Sequence, residues 1–293
     1  MKALHALALA FSATLAAAQP APQFVSGPVT REGFVGFVAA QRVPARAFDR
    51  MPGVQVRELS GDAQTGRRAL LAQFPAGFAL ETRPRFAQSL DIVVIEGGLR
   101  LGAHTLGPRD FAFLPPQAPL PRLASAVATQ ALLFFDPPVS DAAALADQQQ
   151  QGVQVALFDR LPWTESTLSR NAGADLPFRL KFLKRDARTG ARTWFVQLPA
   201  GVQVPWERHS VAEEGFLFEG DYRLNECLAG GTLTGDYAPG GYFLRAASIP
   251  HSGPGSGTRN GALWLQRSGA ALDVEFFARC EQGRPLDPIK PKQ

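Results

Sequence analysis

Lysine, cysteine and long apolar runs are scarce in this sequence. Of its 30 basic residues only five are lysines (Lys2, Lys181, Lys184, Lys290 and Lys292), and the arginines form no block interleaved with aromatic residues. A nucleic-acid footprint would cluster its positive charge on one face or one helix. The net charge of +4, spread along the chain, therefore argues against a nucleic-acid partner. Beyond the first 18 residues no segment offers the roughly 18 apolar residues that a membrane-spanning helix needs, which excludes a helical membrane span. Two cysteines, Cys227 and Cys280, leave room for one disulfide at most. In an oxidising compartment they would pair and staple the middle of the second half to its C-terminal end. The alternative is two separate buried thiols, since sequence does not test the distance a disulfide demands.

What is present begins with "MKALHALALAFSATLAAAQP": a basic start at Lys2, an apolar stretch from Ala6 to about Leu15, and the small residues Ala16, Ala17 and Ala18. That is the layout of a secretory signal peptide, and Gln19-Pro20-Ala21-Pro22 would end a helix at once. The mature chain is expected to be exported, to the periplasm or beyond the cell.

An internal repeat sets the expected architecture. "DAQTGRRALLAQFPAG" (62–77) and "DARTGARTWFVQLPAG" (186–201) agree at nine of sixteen positions without a gap, at an offset of 124. "FDRMP" at 48 and "FDRLP" at 158 form a second echo. Each copy then runs into a short β-type segment broken by a Glu-Gly turn, "DIVVIEGGLRLG" in the first and "EGFLFEGDYRLNE" in the second, which reads as a hairpin. A 3.6-residue periodicity is sustained only over "SDAAALADQQQQG" (140–152), a helical or flexible linker. Short strands punctuated by Gly and Pro predict an all-β fold of two tandem barrels. The divisions are a leader over 1–18, an arm over 19–45, a first domain over 46–139, a linker over 140–155, a second domain over 156–280 and a tail over 281–293.

The chemistry concentrates in "GVQVPWERHSVAEEGFLFEG" and "YAPGGYFLRAASIPHSGPGSGTRNGALWL". Here the second half resembles the cupins, in particular the ChrR-like cupins and related two-cupin proteins. The family's first motif is a Gly, then His-x-His, three or four residues, Glu, six residues and Gly. Gly201, His209, Glu213 and Gly220 match it, while Glu207 stands in the place of the first His. Pro239, Gly241 and His251 match the second motif. The resemblance implies a jelly-roll (double-stranded β-helix) barrel and a single divalent metal ion, Mn, Fe or Zn, with Glu207, His209, Glu213 and His251 as its candidate ligands.

The residues support this independently. Strand alternation puts Glu207 and His209 on one face and Trp206 and Arg208 on the other. A mixed imidazole and carboxylate set suits first-row divalent ions. Two carboxylates facing one interior repel unless a cation or proton neutralises them, so Glu207 is either a fourth ligand or turned to solvent or an Arg, leaving His209, Glu213 and His251 as a facial triad. Glu207 or Glu214 is the candidate general base, although alternation places Glu214 on the opposite face. Phe216, Phe218, Tyr222, Tyr242 and Trp264 are candidates for an apolar pocket lining, with ordinary core as the alternative. The first copy has no His at these positions. His104 falls in the hairpin, Glu81 and Asp91 lack a second ligand type, and this domain is expected to be a packing partner without metal. The functional expectation is an exported bicupin binding one metal and a small polar ligand or substrate. The alternative is a non-catalytic cell-envelope binding or structural protein without metal. A homodimer is compatible with either.

Overall fold

The computed structural model describes residues 34–290, so the leader expected over residues 1–18 lies outside the described residues. No helix among the described residues is long and apolar enough to cross a membrane. The described chain is two β-barrels packed back to back, each a large sheet curled over a smaller one, with every strand pair antiparallel.

In the first barrel the large sheet runs, from edge to edge, through Gln154–Ala156, Phe111–Leu114, Leu90–Glu96, Thr129–Phe135, Arg68–Phe74, Gln55–Gly61 and Arg46–Ala47. The second barrel repeats the order with Val35–Ala39, Gly241–Arg245, Glu213–Gly220, Ala262–Ser268, Arg192–Leu198, Arg179–Arg185 and Thr164–Glu165. Four-stranded and six-stranded sheets close the respective barrels. The edge strands are exchanged. Val35–Ala39, from the arm, pairs with Gly241–Arg245 of the second barrel, and Gln154–Ala156, after the linker helix Ala142–Gln151, pairs with Phe111–Leu114 of the first. Each barrel thus ends in a strand supplied from outside its own repeat, which covers an otherwise open sheet edge. The segment read as a tail also holds a strand, Arg284–Pro288, paired with Glu275–Glu281 of the second barrel.

The repeated sequence is visible as repeated turn chemistry. In "DAQTG" and "DARTG" the aspartate side chain accepts from the backbone N–H two residues on, at 2.8 Å from Gln64 and 2.8 Å from Arg188. The Gly66 and Gly190 amides close each turn on the aspartate carbonyl at 2.8 Å, with φ of 73° and 74°. Asp, Thr and Gly recur because this turn needs a side-chain acceptor and a left-handed residue.

The central strands are apolar on both faces because both faces are buried. In Thr129–Phe135, Ala131, Leu133 and Phe135 point into the first barrel while Leu132 and Phe134 point to the second. Trp194, Val196 and Leu198 likewise line the second barrel, and Phe195 joins the layer between barrels. Into that layer Phe216, Tyr242 and, partly buried, Phe218 also project. Three residues expected as pocket lining are therefore interdomain core: they lie one register step from the inward-facing positions.

The same layer carries a buried charge network. Arg267 reaches Asp91 at 3.0 Å, Asp136 at 3.0 Å and Glu214 at 2.9 Å. Arg67 pairs with Glu214 at 3.0 Å, Lys184 with Asp91 at 3.2 Å, and the Tyr242 hydroxyl donates to Glu214 at 2.6 Å. Three cations meet three carboxylates. Burial opposes the Arg267 charge, but Asp136, Asp91 and Glu214 more than offset it and raise its pKa above the usual arginine value. For Asp136, burial is outweighed by Arg267 and Lys184, and its pKa lies below the ordinary 3.8.

Cys227 and Cys280 form a disulfide, Cα–Cα 6.4 Å, between Tyr222–Leu228 and Glu275–Glu281 on the outer face of the second barrel beside Trp206 and Phe277.

Removing Arg267 leaves Asp91 and Glu214 buried without their shared partner, so Arg267→Met should cost about 3–5 kcal/mol in urea unfolding, whereas Arg279→Ala at the exposed Asp287 pair should leave the midpoint unchanged. Because Asp136 is depressed on folding, its share of stability is complete above the ordinary 3.8 and is lost as pH falls through the lower folded value. Replacing both Cys227 and Cys280 by Ser should lower stability by about 2–4 kcal/mol, read from the same unfolding curves under non-reducing conditions.

Candidate metal centre

Four strands and a loop bring the predicted residues together. Trp206–Arg208 delivers Glu207 inward between Trp206, which packs against the disulfide side, and Arg208, which pairs with Glu275 at the surface. His209 follows directly. His251 opens the short strand His251–Ser252, which pairs with both Trp206–Arg208 and Tyr222–Leu228. Glu213 begins Glu213–Gly220. Gly220 ends that strand with φ of 85°, and a Cβ there would stand 1.8 Å from the Gly261 carbonyl oxygen, which explains the closing glycine of the motif.

The ligand-type atoms of Glu207, His209 and His251 all lie within 4.8 Å of one another. His251 Nε2 is 3.5 Å from Glu207 Oε1. Glu213 Oε2 stands beside them, 3.8 Å from His209 Nε2 and 4.0 Å from His251 Nε2. Each imidazole turns its other nitrogen to a backbone carbonyl, His209 Nδ1 to Asp273 and His251 Nδ1 at 3.1 Å to Ile249. Nδ1–H donating to a carbonyl fixes the tautomer that leaves an Nε2 lone pair pointing inward, the arrangement by which metal-binding histidines are oriented. Both Nε2 atoms face the two carboxylates.

Burial and charge define what the site can hold. Burial lowers the His209 pKa below the usual imidazole value, with Glu213 partly opposing. For Glu207, burial disfavours ionisation, but a hydrogen bond and charge from His251, the charge of His209 and the Ser252 hydroxyl at 3.0 Å hold the carboxyl below the usual glutamate range. Behind them sits Arg245, fully enclosed, donating to Glu213 at 2.6 Å and to both oxygens of Glu226. Burial opposes its charge and Glu226, with Glu213, restores it. Of the three carboxylates Glu207, Glu213 and Glu226, the Arg245 guanidinium contacts the last two. Two imidazoles with inward nitrogens beside the Glu207 carboxylate form a donor set of the kind that suits a divalent cation. One Glu213 oxygen is committed to Arg245, and Glu207 lies nearer His251. Glu207 thus stands with the two imidazoles, while the Glu213 oxygen nearest them, Oε2, is the one that accepts from Arg245.

Glu214 is on the other side of its strand, held by Arg67, Arg267 and Tyr242 in the interdomain layer. A general-base role for Glu214 has no access to this site. In the first barrel Leu90 and Asp91 open the strand equivalent to Glu213–Gly220. Leu90 fills the apolar interior where Glu213 points inward, and Asp91 faces the interdomain layer as Glu214 does. His104 and Glu81 are exposed.

The site forms the floor of a cavity of about 350 Å³. Tyr222 and Trp264 line it as expected, joined by Phe243, Trp194, Phe182 and Phe276. Sequence reading missed Arg245 and Glu226; an arginine ending the apolar run "GGYFLR" was the one available signal. It also missed the segment 164–171, which closes one wall of the cavity.

A two-barrel chain with one His- and Glu-lined interior is a two-domain cupin in its fold, and solved structures agree. A putative dioxygenase from Nostoc punctiforme superposes with a TM-score of 0.62 at 15% identity, over 84% of this chain and 86% of that one. Oxalate decarboxylase OxdC of Bacillus subtilis, in a single-substitution mutant form, gives 0.55 at 12% identity, over 82% and 78%. The Ylba protein of E. coli gives 0.57 at 10% identity, over 80% and 89%. At these identities the likeness is one of fold. No family model and no curated protein matches the sequence.

Proposed function

We propose that this chain is an exported, metal-dependent bicupin enzyme in which the second barrel does the chemistry and the first supports it. The carrying observation is the pair of oriented imidazoles beside Glu207 on the floor of a cavity large enough for a small molecule. A purely structural metal would be expected in a closed site with every position filled by protein. Here the donor set opens onto the cavity. The names dioxygenase and oxalate decarboxylase among proteins of this fold support an enzymatic reading.

In this reading Glu207, His209 and His251 would hold Mn(II), Fe(II) or Zn(II), with Glu213 as the adjoining carboxylate. Bound there, the ion would supply a Lewis-acidic or oxygen-activating centre. The chain's own part is preparation. The Asp273 and Ile249 carbonyls fix the histidine tautomers, Arg245 holds Glu213 in place, and Ser252 orients Glu207. The export proposal rests on the sequence of the first 18 residues.

Protein purified without chelator should carry one first-row divalent ion per chain by inductively coupled plasma mass spectrometry. His209→Ala and His251→Ala should each fall below about a tenth of that occupancy, and Glu207→Ala should weaken affinity by about 10- to 100-fold. A wild type without metal under metal-replete conditions would overturn the proposal, and a Glu207→Ala protein with unaltered affinity would remove Glu207 from the ligand set.

A further inference from the structure

The cavity above the metal site has a second pole. Its walls are built on Arg179–Arg185 and Arg192–Leu198, which pair Leu180 with Val196 and Phe182 with Trp194. A bulge at Leu183 then shifts the alternation, so that Lys184 pairs with Thr193 toward Asp91 while Arg185 comes opposite Arg192. Without the bulge, strict alternation would turn Arg185 away from the face that Leu180 and Phe182 share. Two arginines therefore meet at one end of an apolar wall, and both line the cavity.

Neither is matched by a carboxylate in the way that Arg245 and Arg267 are. The described contacts of Arg192 are the Leu272 carbonyl, which accepts from Nη2 at 2.7 Å, and the Trp194 ring, 4.9 Å from the guanidinium carbon. Its Nε is buried and has no hydrogen-bond partner. Arg185 lies over the Phe182 ring at 3.5 Å and is exposed at the rim. Burial, with Arg185 alongside, pulls the Arg192 pKa below the usual arginine value, with Glu213 opposing. A guanidinium fixed through Nη2, stacked on an aromatic ring and matched by no carboxylate among the described residues suits an anion, and a planar carboxylate fits its geometry best. Arg192 also borders the cleft between the barrels, but its strand neighbours Trp194, Val196 and Leu198 face the barrel interior.

The same cavity is lined by six aromatic residues, Phe182, Trp194, Tyr222, Phe243, Trp264 and Phe276, together with aliphatic and polar side chains. A cavity of about 350 Å³ is at the small end of ligand pockets, which run from about 300 to 1,000 Å³. We infer that the ligand is a small amphipathic carboxylic acid, its carboxylate on Arg192 with Arg185 at the rim and its apolar or aromatic body against these rings. This refines the proposed function from a small polar ligand to a substrate class, and it rests on that reading for the chemistry at the ligand's far end. It does not rest on metal for the anion site.

The test uses the full-length exported chain with 3-phenylpropionate, its uncharged amide and acetate, titrated calorimetrically. The acid should bind the wild type at least about tenfold more tightly than the amide, and acetate, lacking the body, should bind more weakly than either. Arg192→Gln should abolish the preference while leaving amide affinity unchanged, and Arg192→Lys should retain part of it. Should Arg192→Gln fail to fold by its unfolding curve, Arg185→Gln and Arg192→Lys carry the test, each reducing the preference. Equal binding of acid and amide by the wild type, no binding of either at millimolar concentration, or an unaltered preference in every folded arginine variant would overturn the inference. The same titration on His209→Ala separates the two readings. A preference that persists there assigns the carboxylate to Arg192 whether or not the wild type holds metal. A preference lost with His209 would assign it to the metal and overturn the arginine site.

Discussion

The structure turns on two adjacent carboxylates at the start of one strand. Glu213 and Glu214 are both buried, and strand alternation sends them to opposite sides of the same sheet. Each would be prohibitively costly alone. Arg245 meets Glu213 inside the barrel, and Arg267 with Arg67 meets Glu214 between the barrels. The two pairs differ in their remaining balance. Between the barrels three cations match three carboxylates, and the network is complete within the chain. Inside the second barrel Arg245 holds Glu213 and Glu226, while Glu207 is left with Ser252 and the two imidazoles. The strand thus joins the packing of the two barrels to the candidate metal site.

That difference also accounts for the asymmetry of the duplication. The first barrel retains the interface half of the arrangement, Asp91 opposite Arg267, but has Leu90 in the inward position and an interior packed with aliphatic and phenyl side chains. An apolar barrel core needs no compensating charge and gains the full burial of its strands. The edge strands exchanged between the barrels and the mixed core between the large sheets make the first domain part of the second's support. Strain or loss of packing in the first barrel would reach the metal site through Glu213–Gly220, whose outer face it covers.

Much of this was legible in the sequence because it is local. The turn chemistry of Asp62-to-Gly66 and Asp186-to-Gly190 exposes the duplication, and alternation alone places Glu207 with His209 and puts Glu214 on the other face. The candidate ligands Glu207, His209 and His251 could be picked out from the resemblance to the cupin motifs, and the structure brings them together. What stayed hidden is long-range or depends on register. The partners of Arg267 lie 53, 131 and 176 residues away. The bulge at Leu183 reverses which residues share a face, and the orientation of Phe216, Phe218 and Tyr242 depended on which sheet faces which barrel. The strand Val35–Ala39 carries no signal that it belongs to the domain farther along the chain. Whether Glu207 turns inward was likewise decided by pairing with His251–Ser252, a contact 44 residues distant.

The central claim is that the oriented imidazoles and Glu207 of the second barrel form a cation site, and that the first barrel offers no such cluster among the described residues. Anomalous scattering from crystals of metal-replete protein, recorded on both sides of the absorption edge of the bound element, tests it most directly. The account predicts one strong peak per chain, between His209, His251 and Glu207. A peak inside the first barrel, or none in the second at full metal supply, would contradict it.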